Sequence, residues 1–389
     1  MKILGIIPAR YASTRFPGKP LARIAGKPMI QWVYEQCKKA SKLSEVVVAT
    51  DDERIIKAVE KFGGKAIKTG DHHLNGTSRC AEIAQQLPDY EHIINIQGDE
   101  PLIDPLAINT VAILLEQGHN IATLYTDLVE HDIAKRSIVK VAFNGSNAHA
   151  FSRDVTSLSS EYPKGKHVGI YGFSTSHLAV LMQLSPSKNE LKESLEQLRW
   201  LDNGYKIGIA KTSSTSFGVD LPEDVKIAES LILDTKLKAI KAIVTDVDGV
   251  LTDGSIMYDS HSVESKTFNV KDGQICSVLK RHGFFMGIIT GRKSKMVKRR
   301  ASELGFDSIN QRCKDKEAAI KTFATDFNLK LEEIAYIGDD INDLPAYAMA
   351  GLSAAPQDAP SYIKDRATIT LSKAGGKGVF RELADMILA

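Results

Sequence analysis

Two aspartates one residue apart, Asp246 and Asp248 in "DVDGVLTDG", follow the apolar run Ala242-Ile243-Val244. Carboxylates held that close repel unless a cation or a shared proton lies between them. Further along, "IGDDINDLP" sets Asp339, Asp340 and Asp343 behind another apolar run. Together these form an oxygen-ligand set of the kind Mg²⁺ prefers, with room for water and a phosphate. A carboxylate beside such an ion can attack phosphorus and carry the phosphoryl group itself. Thr290 in "ITGR" adds a hydroxyl for phosphoryl oxygens, and Lys316 in "CKDKEAAI" adds an ammonium. Taken singly, each piece also fits a turn or a helix cap. Their order along the chain, DxD, T, K and GDDxxD, makes phosphoryl transfer the better reading.

A second set lies near the start. "IIPARYASTRFPGKPL" begins apolar and then breaks into Pro, Ala, Ser, Thr and Gly, with Arg10, Ser13, Arg15 and Lys19 along the break. Backbone N–H groups interspersed with cations suit a triphosphate. The pattern is not a P-loop, because GxxxxGK[ST] is missing. "IINIQGDEPLIDP" places Asp99 at a strand end behind Gln97, and "FGVDLPEDV" places Asp220 before a helix. Either aspartate alone reads as a cap or turn residue. As a pair they are expected to hold Mg²⁺ on a nucleotide.

The elements that must position these groups alternate. "ILGIIPA", "EVVVATD", "HIINIQGD", "HVGIYGF" and "KIGIAK" read as strands, and "PMIQWVYEQCKKA", "DERIIKAVEKFG", "ESLEQLRWLDNG" and "PEDVKIAESLIL" as helices. The rhythm restarts near Lys241 with "KAIVTDVD", "FFMGIITG" and "EIAYIGDD". The segment Gly254 to Val270 between the first two reads as a hairpin. The sequence therefore predicts an α/β protein of two domains, residues 1–236 and 239–389, each a mostly parallel sheet with helices on both faces. In such sheets ligands bind outside the carboxyl ends of strands. That edge is where Arg10, Asp99, Asp246, Thr290 and Asp339 fall.

Composition narrows the function classes. The 389 residues are 43% apolar and 25% charged, with a net charge of +2 and no concentrated basic stripe, which argues against a nucleic-acid binder. "KSKMVKRR" is the densest basic run and reads as a solvated helix face. The four cysteines are far apart and form no CxxC, as expected of thiols in a reducing cytoplasm. No apolar run approaches membrane-spanning length, and the N-terminal run is too short for a signal peptide.

The C-terminal motif series resembles the haloacid dehalogenase superfamily of phosphatases from Lys241 onward. The resemblance implies that Asp246 is the nucleophile and Asp248 the general acid/base. It also implies that Thr290 and Lys316 hold the phosphoryl group. Asp246, the Asp248 carbonyl and Asp339 would hold Mg²⁺, with Asp343 in support. With only a short hairpin where a cap domain would insert, the chain is similar to the capless branch that hydrolyses 3-deoxy-manno-octulosonate (Kdo) 8-phosphate and related 9-phosphates. "FNVKDGQI" and the tail "AGGKGVFREL" fit that branch, in which homotetramers form and the tail closes the site.

From Lys2 to about Glu229 the chain resembles the CMP-Kdo synthetase family. "PARYASTRFPGKPL", "ATDDERI", "NIQGDEPLI", "FSR", "HVGIYGF" and "ESLEQLRWLDNGYKI" carry the resemblance. It implies that CTP and Kdo give CMP-Kdo and pyrophosphate by in-line attack of the sugar's C2 hydroxyl. Arg10, Ser13, Arg15 and Lys19 would hold CTP, Asp99 and Asp220 would hold Mg²⁺, and Gln97, His167, Tyr171, Glu196 and Gln197 would bind the sugar acid. Without the resemblance, His167 and Tyr171 read as satisfied residues of an apolar strand. "NGTSR" stands where the family has "SGTDR", and "DVTSLSS" replaces an Ile-Pro segment after "FSR". These departures leave Kdo, its 8-amino form and a nine-carbon acid open. The expected protein is a cytoplasmic bifunctional enzyme acting on CTP, a 3-deoxy-ulosonic acid and its phosphate. The rival is a C-terminal domain that only oligomerises.

Overall fold

The computed structural model describes every residue except 14, 215, 216 and 262, so Thr14 of the basic loop and Ser262 of the hairpin lie outside the described residues. The chain forms two compact units, Met1–Ile24 with Pro28–Ala228, and Ala25–Lys27 with Glu229–Ala389. A single helix, Asp224–Ala239, runs through the stretch where the sequence suggests a boundary.

The first unit is built on a nine-stranded sheet. Its strands are β1 (Ile3–Pro8), β2 (Glu45–Thr50), β3 (Ala66–Lys68), β4 (His92–Asn95), β5 (Ile121–Thr126), β6 (Lys140–Asn144), β7 (Asn147–Ser152), β8 (Lys164–Ser174) and β9 (Ile207–Lys211). Their order is β3-β2-β1-β4-β8-β5-β9-β7-β6. β1 is buried on both faces. Ile3 and Ile7 pack with Val46 and Val48 on one side, while Leu4 and Ile6 pack with Val47 and Ala49 on the other. Successive side chains of a strand point to opposite faces, so a strand covered on both sides must be apolar throughout. β3, β2, β1 and β4 are parallel, and β8 runs antiparallel to both β4 and β5. The sheet is thus mixed, with parallel strands around β1 and a further parallel pair, β5 with β9.

"ESLEQLRWLDNG" does not form one helix. A first helix, Lys188–Glu193, starts on a Ser187–Glu190 capping box and ends at Ser194, whose φ is 55°. A second helix, Gln197–Asp202, follows and buries Gln197, Leu198 and Trp200. The left-handed residue turns the chain so that these side chains face the sheet.

The second unit has six parallel strands: β10 (Ala242–Thr245), β11 (Phe285–Thr290), β12 (Ser308–Gln311), β13 (Ile334–Ile337), β14 (Leu352–Ala355) and β15 (Ile369–Thr370). Their order is β12-β11-β10-β13-β14-β15. Ile243 of β10 faces one apolar cluster, and Ala242 and Val244 face the other. The hairpin after β10 pairs Met257–Tyr258 with Glu264–Ser265. Among the described residues, no helix is long and apolar enough to cross a membrane.

In both sheets the first strand lies between neighbours reached in opposite directions, β2 and β4 around β1, β11 and β13 around β10. A crevice opens at the carboxyl ends where the strand order reverses. The "PARYASTRFPGK" loop leaves β1 at that point, and "DVDGVLTDG" leaves β10.

Candidate active sites, one in each unit

In the first unit the loop after β1 folds back on itself. Gly18 takes φ 73° and donates its N–H to the Tyr11 carbonyl at 2.9 Å. Ser13 Oγ accepts the Phe16 N–H at 3.3 Å. The Arg54 guanidinium lies 3.3 Å from the Tyr11 ring centroid and also grips Asp52. The result is a cleft of about 320 Å³ whose walls include Arg10, Ser13, Arg15, Lys19, Gln97, Asp99 and Asp220. All four expected nucleotide residues and both expected metal ligands therefore meet there.

Lys19 Nζ lies 2.6 Å from Asp99 Oδ2 and 3.7 Å from Asp220 Oδ1, while Arg15 Nη2 donates to Asp220 Oδ1 at 3.0 Å. The Val219 N–H donates to the Asp99 carbonyl at 2.9 Å, which ties the two distant segments together. The aspartates thus converge on one cation position, filled here by an ammonium.

The expected sugar residues divide. Gln97 lines the cleft and donates to the Gly169 carbonyl at 2.9 Å. His167, Tyr171, Glu196 and Gln197 are not among the residues lining that volume. His167 sits 2.9 Å from Thr123 Oγ1, and burial pulls its pKa down to about 3, so the ring is neutral near pH 7. Tyr171 is buried edge-on against Trp200, with ring centroids 5.3 Å apart. Glu196 accepts from Asn75 Nδ2 at 3.0 Å and Thr77 Oγ1 at 2.7 Å, and burial raises its pKa. Asn75 also lines the cleft. Asn75, one of the departures in "NGTSR", therefore joins Glu196 to the cleft, a part sequence reading did not assign.

In the second unit the register sets the site. Thr245 lies opposite Ile288 on β11 and Ile337 on β13, so Asp246, Thr290 and Asp339 leave the sheet at one edge. Asp246 is buried. Its Oδ1 accepts the Val247 N–H at 2.7 Å and its Oδ2 accepts from Lys316 Nζ at 2.7 Å. Ligand oxygens of Asp246, Asp339 and Asp343 lie within 4.8 Å of one another. Asp339 Oδ1 is buried without a hydrogen-bond partner, and burial, followed by Asp343 and Asp246, pushes this carboxyl up to about 7. A donorless buried oxygen amid like charges is a position suited to a cation. Gly249 has φ 87°, and a side chain there would collide with the Asp339 carboxylate, so the loop can approach Asp339 only as glycine.

Asp343 has another occupation. Its Oδ1 accepts from Lys316 Nζ and Tyr336 Oη, both at 2.6 Å, and its Oδ2 accepts the N–H groups of Asp339 and Asp340 at 3.0 and 3.1 Å. Asp343 is fully buried and holds Lys316 and the 339–340 turn in place.

Asp248 bonds to the ammonium of Lys266, whose side chain is 1% exposed. Sequence reading passed over Lys266. No fixed spacing links it to the DxD, because the hairpin lies between them.

A family model described as cytidylyltransferase matches residues 4–207, and one described as haloacid dehalogenase-like hydrolase matches residues 269–351. A 3-deoxy-manno-octulosonate cytidylyltransferase from Parabacteroides distasonis is 46% identical over 243 residues, covering 58% of this chain and 96% of that one. The solved CMP:2-keto-3-deoxy-manno-octonic acid synthetase complexed with CTP is 39% identical, with a TM-score of 0.58 over 60% of this chain and all (100%) of that one. The 3-deoxy-D-manno-octulosonate 8-phosphate phosphatase of Moraxella catarrhalis, solved with magnesium, phosphate and KDO, is 40% identical, with a TM-score of 0.39 over 40% of this chain and 90% of that one.

Proposed function

Because the chain belongs to the cytidylyltransferase family, we propose that residues 1–236 transfer CMP from CTP to a 3-deoxy-ulosonic acid, Kdo in the first instance, and release pyrophosphate. We further propose that residues 239–389 hydrolyse the corresponding sugar phosphate. The observation that carries the first reading is the cleft in which Arg10, Ser13, Arg15 and Lys19 surround the converging Asp99 and Asp220. For the second it is the buried Asp246–Lys316–Asp343 chain beside the donorless Asp339 oxygen.

In the transferase site Arg10, Arg15 and Lys19 neutralise the triphosphate, and Ser13 contributes a hydroxyl to the same loop. Gln97 faces the incoming sugar, with Glu196 held behind it by Asn75 and Thr77. Positioning and charge neutralisation supply most of the acceleration in such phosphorus chemistry.

In the phosphatase site Asp246 attacks phosphorus, Asp248 protonates the departing sugar oxygen, and the same Asp248 then takes a proton from the water that releases phosphate. Thr290 and Lys316 bind the phosphoryl oxygens. Both sites use a divalent metal, Mg²⁺ in this proposal, held by Asp99 and Asp220 in one and by Asp246, the Asp248 carbonyl and Asp339 in the other. When bound, it neutralises charge on the phosphoryl oxygens.

The hairpin exposes Ile256, Met257, Tyr258 and Val263. Exposed apolar side chains of this kind support self-association, and we assign the protein a homotetramer built through the second unit. The four free cysteines and the substrates together support the cytoplasm as its place of action.

The test is a panel of ulosonates and their phosphates with CTP and Mg²⁺, following phosphate and CMP-sugar separately. Asp246→Asn is expected to stop phosphate release and spare CMP transfer, and Asp99→Asn to do the reverse. Loss of both activities in either folded variant would refute the assignment of one reaction to each unit.

A further inference from the structure

We propose that Lys266 is the positioning residue for Asp248, and that the hairpin therefore takes part in protonating the leaving group. The inference rests on the phosphatase reading above.

Each aspartate of the DxD has its own buried lysine, and the two lysines come from different elements. Asp246 is met by Lys316, at the start of the helix Lys316–Asp326. Asp248 Oδ1 is met by Lys266, which directly follows the hairpin strand Glu264–Ser265. Lys266 Nζ is also 3.7 Å from Glu264 Oε1. Arg292, two residues past Thr290, closes the circuit. Its Nη2 is 3.0 Å from Glu264 Oε1, and its Nε is 4.0 Å from Asp248 Oδ2. Carboxylates and cations thus alternate around a ring.

A buried ammonium is stable only while it is paired. Lys266 therefore fixes where Asp248 Oδ1 points and with it the rotation of the whole carboxyl. Asp248 Oδ2, 4.0 Å from Arg292 Nε, lies outside hydrogen-bond range of that group. It is the oxygen left to exchange a proton. In the first half-reaction an Asp246 oxygen bonds to phosphorus, the bond from phosphorus to the sugar oxygen breaks, and that oxygen takes the proton from Asp248 Oδ2. In the second half-reaction water bonds to phosphorus, its proton goes to Asp248 Oδ2, and the phosphorus–Asp246 bond breaks. The carboxyl ends as it began. A carboxyl that can swing loses this alignment in both halves.

The leaving group reads the effect. An alkoxide departs poorly without a proton, whereas p-nitrophenolate departs well without one. General-acid help is worth on the order of 10²–10⁴-fold where it is needed. In the full-length chain, Lys266→Met is expected to lower kcat on Kdo 8-phosphate by about 100-fold. On p-nitrophenyl phosphate the loss is expected to stay below about threefold. In an Asp248→Asn background Lys266→Met should cost nothing further on the sugar phosphate, since residues acting through one another are not additive.

Equal losses on both phosphates, or additive losses in the double variant, would overturn the proposal and leave Lys266 a purely structural residue. Should Lys266→Met fail to fold, Lys266→Arg keeps the charge while shifting the donor. It is expected to show the same preference for loss on the alkyl ester, and equal losses there overturn the proposal too. A wild-type chain inactive on both phosphates would instead refute the phosphatase reading itself.

Discussion

Lys316 and Asp343 are locked at 2.6 Å with neither side chain more than 2% exposed. The third aspartate of GDDxxD is thereby a clamp on the lysine, and the lysine is a clamp on Asp246. Four donors saturate Asp343, so a substituted Lys316 would leave two buried carboxylates facing each other.

Lys316→Met is therefore expected to be costly twice over. Removing one partner of a buried ion pair typically costs about 3–5 kcal/mol, so the second unit should unfold at a clearly lower temperature. Phosphate release should vanish while CMP-sugar formation continues in the first unit. Scanning calorimetry and the two product assays check both statements.

Asn75→Ala removes one donor from Glu196, a partly buried acceptor. A hydrogen bond to a charged group is worth about 1.5–3 kcal/mol. If Glu196 serves the sugar acid, the KM for that acid should rise at least about tenfold, while the KM for CTP stays within about twofold. Equal changes in both would place Asn75 in the nucleotide subsite.

Asp272 offers a pH signature. It accepts the Arg381 N–H at 2.8 Å, its Oδ2 is buried without a partner, and burial pushes its carboxyl from 3.8 to about 6. An acid whose pKa is raised by folding binds protons more tightly when folded, so its contribution to stability falls as pH rises from about 4 to about 6 and stays low above that. Asp272→Asn keeps an acceptor for Arg381 and removes the charge. It is expected to be more stable than wild type at pH 8 by up to about 3 kcal/mol, with the difference disappearing below about pH 4. Urea melts at the two pH values measure it.

Gly375→Ala probes how the tail meets the nucleophile loop. A Cβ at residue 375 would collide with the Gly249 carbonyl and come within 3.0 Å of the Thr252 carbonyl. Forcing extra volume into such a contact costs about 1–3 kcal/mol. Phosphate release should fall at least tenfold, and the second unit should melt earlier. CMP transfer should be unaffected.

Much of this was legible because strands covered on both faces have no choice but to be apolar. β1, β2, β10, β11 and β13 stand out for that reason, and the residues behind them fall at the sheet edges where ligands bind. The antiparallel part was harder. β7, "NAHAFS", mixes exposed, half-buried and buried residues without a regular alternation and carries little apolar signal. β8 was recognised as a strand, but no local feature of a sequence reports which way a neighbour runs. At the sites, charged side chains after strands could be found by position. Lys266, Glu264 and Tyr336 could not, because their roles exist only once a hairpin and a buried strand bring them to Asp248 and Asp343. Asn75 was visible as a departure, but its bond to Glu196 spans 121 residues.

The packing of Gly375 and Gly376 on the backbone of residues 249–253 has a temporal consequence. As the polypeptide emerges from the ribosome, the strand that carries Asp246 is available more than a hundred residues before the segment it leans on. The nucleophile loop can take its working shape only after residue 376 has cleared the exit tunnel. The first unit depends on no such late arrival for its cleft, whose walls are complete by Asp220. Nascent chains should therefore gain the capacity to activate sugars well before the capacity to dephosphorylate them.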